Sequence, residues 1–307
     1  MAVLNFPHQG VVINGVRYFP RKSLTHVLED KSVYEVVAED GSSLIAKLVL
    51  LEEDRGTGIK GMSSFDRETF LSQRWGPDPH PNVHFPLATA EQDGIGYVLT
   101  RYLAEDLESV LLREGPFTPR QTLHVLQQIA NALTFLHGKG ISVRDVKLDN
   151  MLVQLDGVQR GQVIREMILL KETIVKLFDM GLAIHPDMHF LREGTDFYGN
   201  EDYAAPEMIL RNAEQMENPH LMDMYSLGIC AYYLLTQISP FKNINVQTVI
   251  ALSLRDLFPM FILYNDTILP FSLKKVISTA VSYCPLDRYQ TPQEFVNAFA
   301  AEIPKEK

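Results

Sequence analysis

From Ile141 to Asn150 the chain reads Ile-Ser-Val-Arg-Asp-Val-Lys-Leu-Asp-Asn, which sets Arg144, Asp145, Lys147, Asp149 and Asn150 close together. So dense a polar run, in the middle of a chain that must bury itself, is either a solvated loop laced with salt bridges or a loop holding charge for chemistry. Further on, Ile174-Val175-Lys176-Leu177-Phe178 reads as a strand that ends at Asp179-Met180-Gly181. A carboxylate at a strand end before glycine suits a metal ligand, and equally an ordinary turn. Tyr203-Ala204-Ala205-Pro206-Glu207 and Asp223-Met224-Tyr225-Ser226-Leu227-Gly228 follow, each a weak signal by itself.

The elements that must position these groups fall into two sets. In the first hundred residues, Asn14-Gly15 lies between two short apolar runs, a hairpin signal because both residue types tolerate positive φ. Strands are expected at Val33–Val37, Leu44–Leu50 and Gly96–Thr100, with Glu39-Asp40-Gly41-Ser42 as a turn and one helix over Phe65–Trp75. After about residue 104 the pattern becomes helical. Thr118-Pro119-Arg120-Gln121 is a capping box with proline at the first helical position. Leu126, Ile129, Ala130, Leu133 and Leu136 follow at helical spacing, and Gly138 and Gly140 mark the stop. Met224 to Thr236 is apolar nearly all round, which predicts a buried helix. A strand-rich small lobe before a helical large lobe is an α+β arrangement with a cleft between, where ligands commonly bind.

Bulk composition narrows the function classes. At 307 residues the length fits about two domains or one two-lobed unit, and 46% apolar with 21% charged residues is ordinary for a globular core. The net charge of −10 argues against a nucleic-acid or anionic-membrane binder. No apolar run is long enough to span a bilayer, and the opening residues lack a basic segment followed by an apolar one, so neither a membrane span nor an export leader is expected. Cys230 and Cys284 are the only cysteines and neither sits in a CxxC, which fits a reducing, cytosol-like compartment. No repeat period is visible.

Taken in order, the motifs resemble the protein kinase superfamily over nearly the whole chain. Arg144-Asp145 with Lys147 and Asn150 resembles the catalytic loop H-R-D-x-K-x-x-N; Asp179-Met180-Gly181 resembles D-F-G; Ala205-Pro206-Glu207 is A-P-E unchanged. Asp223 to Gly228 resembles D-x-W-S-x-G, and Arg288 stands where the family's late arginine pairs with the A-P-E glutamate, here Glu207. Upstream, Lys47 resembles the β3 lysine and Glu68 its helix partner, and His80-Pro81-Asn82-Val83 resembles the H-P-N-I/V that follows. That match makes a metal pair of His80 and His84 a poor reading.

The resemblance implies a bilobal fold, with residues 1–103 as small lobe and hinge and 104–307 as large lobe. It implies an ATP- and Mg2+-dependent (or Mn2+-dependent) serine/threonine kinase acting on protein hydroxyls. Asp145 would orient the acceptor, Lys147 offset γ-phosphate charge, and Asn150 and Asp179 hold the metal, while Lys47, held by Glu68, would take the α- and β-phosphates. Val33 would cover the nucleotide, and Thr100-Arg101-Tyr102-Leu103 would form the hinge, with backbone groups of Arg101 and Leu103 on adenine and an open pocket behind Thr100. Arg144 would pair with a phosphorylated activation segment, Thr195 being the best acceptor there.

Four departures from the family pattern stand out. The three positions of the glycine-rich loop fall on His26, Leu28 and Lys31; Lys31 either reaches a phosphate or is a solvated turn lysine. Val143 and Met180 replace the family's histidine and phenylalanine, which reads as apolar repacking. Asn200 stands where a threonine would bond the catalytic aspartate and lysine. The link from Asn150 to Asp179 is long, and Val163–Leu170 is expected to extend the usual hairpin, as a docking element or simply packed on the large lobe. These departures leave two alternatives open, a pseudokinase scaffold and a small-molecule kinase, and suggest a divergent bacterial or viral lineage, working in a cytosol of its own or of a host.

Overall fold

The computed structural model describes residues 5–24, 31–51, 62–101, 105–154, 164–169, 173–188, 200, 202–210, 218–238, 259, 262 and 268–304. Tyr102, Leu103, Thr195, and His26 and Leu28 of the loop lie outside them, as does the side chain of Lys31.

The small lobe is a six-stranded antiparallel sheet of β1 (Val11–Ile13), β2 (Val16–Ser23), β3 (Lys31–Ala38), β4 (Ser43–Leu50), β5 (Ala88–Gln92) and β6 (Ile95–Thr100). The strand order is β1-β2-β3-β4-β6-β5. Asn14 and Gly15 take φ of 51° and 81°, the doubly left-handed hairpin turn that their side chains permit. Alternation on β4 buries Ala46 and Leu48 against Val36, Tyr97 and Leu99, and turns Lys47 to the opposite face. Register pairs Lys47 with Val33 on one side and Val98 on the other, so three cleft residues lie abreast. Helix α1 (Ser64–Trp75) crosses that face, opened by a capping box between Ser63 and Asp66.

The large lobe holds α2 (Leu107–Glu114), α3 (Pro119–Gly138), α4 (Ile164–Leu169), α5 (Pro206–Leu210), α6 (His220–Thr236), α7 (Phe271–Ala280) and α8 (Pro292–Ala301). A small sheet of β7 (Glu105–Asp106), β8 (Met151–Gln154) and β9 (Ile174–Leu177) lies beside them. Thr118 accepts from Gln121 N and the Gln121 amide oxygen accepts from Thr118 N, the capping box read from sequence. Helix α6 begins at His220, a turn before the apolar run, and is buried from Leu221 to Thr236. Its position at the centre follows from having no polar face to show solvent.

The segment after β8 departs from expectation. Ile164–Leu169 is a helix, not an extension of the hairpin. Ile164, Met167 and Ile168 share its buried side at helical spacing, and the Glu114 carboxylate accepts from Ile164 N (3.2 Å) and Arg165 N (2.9 Å), capping its start. Gln121 Nε2 donates to Arg165 O (3.1 Å), which ties α4 to the start of α3.

Candidate active site

Lys47 reaches across the cleft to two carboxylates. Its Nζ donates to Glu68 Oε1 at 2.8 Å and to Asp179 Oδ2 at 3.0 Å. Burial works against charge on Lys47, but the attraction of Asp179 and Glu68 outweighs it and holds the ammonium protonated. Glu68 can make this bond because α1 presents it, with Arg67 and Leu71, on its buried side. Arg67 Nη1 donates to Gly181 O (3.0 Å), fastening the helix to the turn that carries Asp179.

That turn is tightly specified. Asp179 sits at φ 56°, and Gly181 N donates to Asp179 Oδ1 (3.3 Å). A Cβ on Gly181 would stand 3.0 Å from Ser64 Cβ and 3.2 Å from Asp179 Oδ1, so a side chain there would crowd the helix and the carboxylate together. Met180 is buried in the core, as is Val143.

The loop after α3 is anchored from below by Asp223, fully buried on the first turn of α6. Its Oδ2 accepts from Val143 N (2.9 Å) and His137 Nε2 (2.8 Å), and its Oδ1 from Arg144 N (2.7 Å). Arg144 is thereby held at φ 65°, a strained conformation for a side-chain-bearing residue. The sequence placed Asp223 in a motif without assigning it work. His137, Asp223 and His220 have their ligand atoms close enough to suggest a metal. Their imidazoles stack at 4.1 Å and 25°, however, so the ring planes hardly converge, and both carboxylate oxygens are taken. His137 and Asp223 form a hydrogen-bonded clamp, and His220, stacked on His137, bonds Ser142 Oγ through Nδ1 at 2.7 Å.

Beyond Arg144 comes Asp145, near enough to Asp179 to feel its charge. Asn150 Nδ2 donates to Asp145 Oδ2 (2.8 Å) and to Asp145 O (3.0 Å), and Lys147 Nζ lies 3.3 Å from Asp145 Oδ2 and 3.4 Å from Asp149 Oδ2. Burial pushes the Asp145 carboxyl above its ordinary range, with Asp179 and Asp149 adding to the rise, while Lys147 and Asn150 oppose it. Antiparallel pairing of Met151 with Leu177 sets Asn150 next to the Asp179 turn, and Phe178 N donates to Asn150 O (3.1 Å). With its amide nitrogen turned to Asp145, Asn150 keeps its Oδ1 as an acceptor beside the partly exposed Asp179 carboxylate. Such hard oxygen donors fit Mg2+.

A cleft beside Lys47, Glu68 and Asp179, open at one side, is lined by Val33, Ile45, Pro86, Val98, Thr100 and Phe178. Apolar walls with charge at one end suit a flat base carrying phosphates. Val33 and Thr100 both line this cleft. Arg101 follows Thr100, its guanidinium 3.4 Å from Asp78 Oδ2. Behind Thr100 the expected open pocket is amended: the buried ring of His84 stands there, Nε2 bonded to Thr100 Oγ1 and Nδ1 to Asp78 Oδ1 (3.0 Å). His80 points elsewhere, stacked on Phe135 with its Nδ1 accepting from Asn82 N (3.1 Å), so the two histidines do not converge. Asn200 closes its own turn, Oδ1 accepting from Asp202 N (2.9 Å).

Away from the cleft, Arg288 and Glu207 meet as expected. Both are fully buried, joined by two bonds of 2.7 and 2.8 Å, and the remaining guanidinium donors go to Ser282 O, Leu221 O and Tyr283 O. This fixes the Ala205-Pro206-Glu207 segment on the large lobe.

Residues 31–298 match the family model for the protein kinase domain. Among curated proteins the chain is similar to a probable serine/threonine-protein kinase of Clostridium perfringens, 29% identical over 85% of this chain and 36% of that protein. It is similar also to the serine/threonine-protein kinase PrkC of Bacillus subtilis (25% identical, 70% of this chain, 30% of the relative). The Aurora kinase of Saccharomyces cerevisiae is 30% identical over 67% of this chain and 50% of its own length. The chain thus spans about a third to a half of these relatives.

Proposed function

The chain belongs to the protein kinase family, and on that premise we propose that it transfers the γ-phosphate of ATP to serine or threonine hydroxyls of protein substrates. The observation that supports the reading is the pair of joined sets, Glu68–Lys47–Asp179 and Asp145–Asn150, a cation, oxygen donors and a carboxylate of the kinds that phosphoryl transfer uses.

In this reading Lys47, fixed by Glu68, binds the non-transferred phosphates. Asp145 receives the acceptor hydroxyl; burial raises its pKa, which makes its carboxylate a better proton acceptor. Lys147, beside it, offsets charge on the phosphoryl group in flight. Asn150 and Asp179 would hold Mg2+ (or Mn2+), which supplies charge neutralisation across the phosphates. Arg101 and Leu103 would lend backbone groups to adenine, Arg144 and Thr195 would serve activation, and Lys31 remains a candidate phosphate contact.

A pseudokinase reading draws on the absence of glycine at residues 26, 28 and 31. Against it stands the full set of polar groups, already joined by hydrogen bonds. The buried Glu207–Arg288 pair, holding the platform on which a peptide would lie, favours a protein over a small-molecule acceptor. Among the described residues no helix is long and apolar enough to cross a membrane.

The test is labelled ATP with a generic protein acceptor and Mg2+ or Mn2+, comparing wild type with Asp145→Asn and Asp179→Ala. Incorporation by wild type alone is expected. Equal incorporation in all three, or none in wild type with either metal, defeats the reading.

A further inference from the structure

We infer that His84, oriented by Asp78, is a specificity-determining residue: it takes the hydrogen of the Thr100 hydroxyl and leaves only an oxygen lone pair facing the base. The cleft is thereby selective for a purine bearing an amino group, rather than an oxo group, at the edge against Thr100. This deepens the proposed kinase reading and rests on it.

The chain of bonds starts at Asp78. Its Oδ1 is shared by His84 Nδ1 (3.0 Å) and Lys176 Nζ (3.0 Å), and Arg101 Nε lies 3.4 Å from Oδ2. Burial alone would raise the Asp78 carboxyl, but the hydrogen bonds from His84 and Lys176 outweigh it and hold the group below its ordinary range. An ionised carboxylate can only accept, so Nδ1 of His84 must carry the proton that it donates. Burial also lowers the His84 pKa, more than Asp78 raises it, and Lys176 and Arg101 act in the same downward sense. The ring is therefore neutral near pH 7, and a neutral ring with its proton on Nδ1 has an unprotonated Nε2. Its contact with Thr100 Oγ1 requires the hydroxyl to donate.

Thr100 is the last residue of β6 and lines the cleft with His84, Pro86 and Val98. With its hydrogen committed to His84, its oxygen can accept from an amino group, as in adenine. It would meet a 6-oxo group, as in guanine, lone pair against lone pair. A hydroxyl without His84 could rotate and serve either. Protonation of His84 reverses the arrangement: Nε2 then donates to Thr100 Oγ1, and the hydroxyl hydrogen turns elsewhere, Arg101 O at 3.5 Å being the nearest alternative acceptor. The charged groups facing the ring are Asp78, Lys176 and Arg101, with Lys47, Glu68 and Asp179 along the same cleft.

The experiment is equilibrium binding of ATP and of GTP, each with Mg2+, to the full chain, beside phosphoryl transfer from each. Wild type should prefer ATP. His84→Val should lower the ATP-to-GTP affinity ratio about 5- to 10-fold, the worth of one hydrogen bond exchanged for a repulsion. Thr100→Val should lower it comparably, Thr100→Ser should retain it, and adding His84→Val to Thr100→Val should change nothing further. The wild-type ratio should also fall as pH drops through the His84 titration, a readout that needs no variant. A ratio in folded His84→Val within about twofold of wild type overturns the inference alone. Failure of wild type to bind either nucleotide overturns the kinase reading with it.

Discussion

Asp223→Asn is the substitution that bears most directly on how the catalytic loop is held. The carboxylate accepts three hydrogen bonds, from Val143 N, Arg144 N and His137 Nε2, at 2.7 to 2.9 Å and with no solvent access. Asparagine keeps the volume but offers one oxygen. If that oxygen keeps Val143 and His137, the new amide NH2 faces Arg144 N, donor against donor. Losing one hydrogen bond to a charged group costs about 1.5–3 kcal/mol, and the unpaired buried donor adds about 1 kcal/mol more. Arg144 is held at φ 65°, and that left-handed conformation itself costs about 1–3 kcal/mol, so the loop gains by relaxing once its anchor fails. Misplacing Asp145 by a net of about 2–4 kcal/mol corresponds to a fall in kcat of about 30-fold or more. The KM for ATP should change little, because Val33, Lys47, Glu68 and Thr100 belong to the other lobe. The assay is steady-state transfer to a serine peptide, with a thermal melt to confirm folding. His137→Phe, which removes one donor and leaves both backbone amides on the carboxylate, should cost less than about fivefold. A folded Asp223→Asn enzyme with kcat within threefold of wild type, roughly 0.6 kcal/mol, would refute the anchoring argument.

Three further outcomes are expected. The acid limb of kcat/KM should lie above the ordinary carboxylate range, since Asp145 must be ionised and burial raises its pKa; Lys147→Met, removing a cation that lowers it, should move the limb to still higher pH. A limb that stays put or moves down in that variant contradicts the assignment of Asp145 as base. Arg288→Leu strands a buried Glu207 carboxylate and should cost about 3–5 kcal/mol by chemical denaturation, with Arg288→Leu/Glu207→Leu losing less than the single change. Gly96→Ala should destabilise by about 1–3 kcal/mol, because the new Cβ would stand 2.7 Å from Phe65 Cδ2 and 2.9 Å from Leu51 Cδ2; an unchanged melting temperature would show that this seam yields freely.

Much of the architecture was written locally. The run Leu44–Leu50 marked a strand, observed as β4, and Thr118 with Gln121 marked the start of α3, because strand propensity and helix caps depend on near neighbours. Val163–Leu170 misled for the complementary reason: a short apolar run suits a strand or a helix equally, and the deciding partner, the Glu114 carboxylate, lies about fifty residues earlier.

The sequence by itself singled out Lys47, Glu68, Asp145, Lys147, Asn150 and Asp179 as the candidate set, with Glu207 and Arg288 as a distant pair. Spacing within motifs reports on local backbone, and these residues sit in motifs. Only the tertiary structure decided what those groups lean on. Asp223 meets the catalytic loop from 79 and 80 residues away, and Lys176 comes 98 residues after the Asp78 it shares with His84. Buried polar groups must find partners wherever folding brings them, and no local pattern announces a partner that the chain supplies a third of its length later.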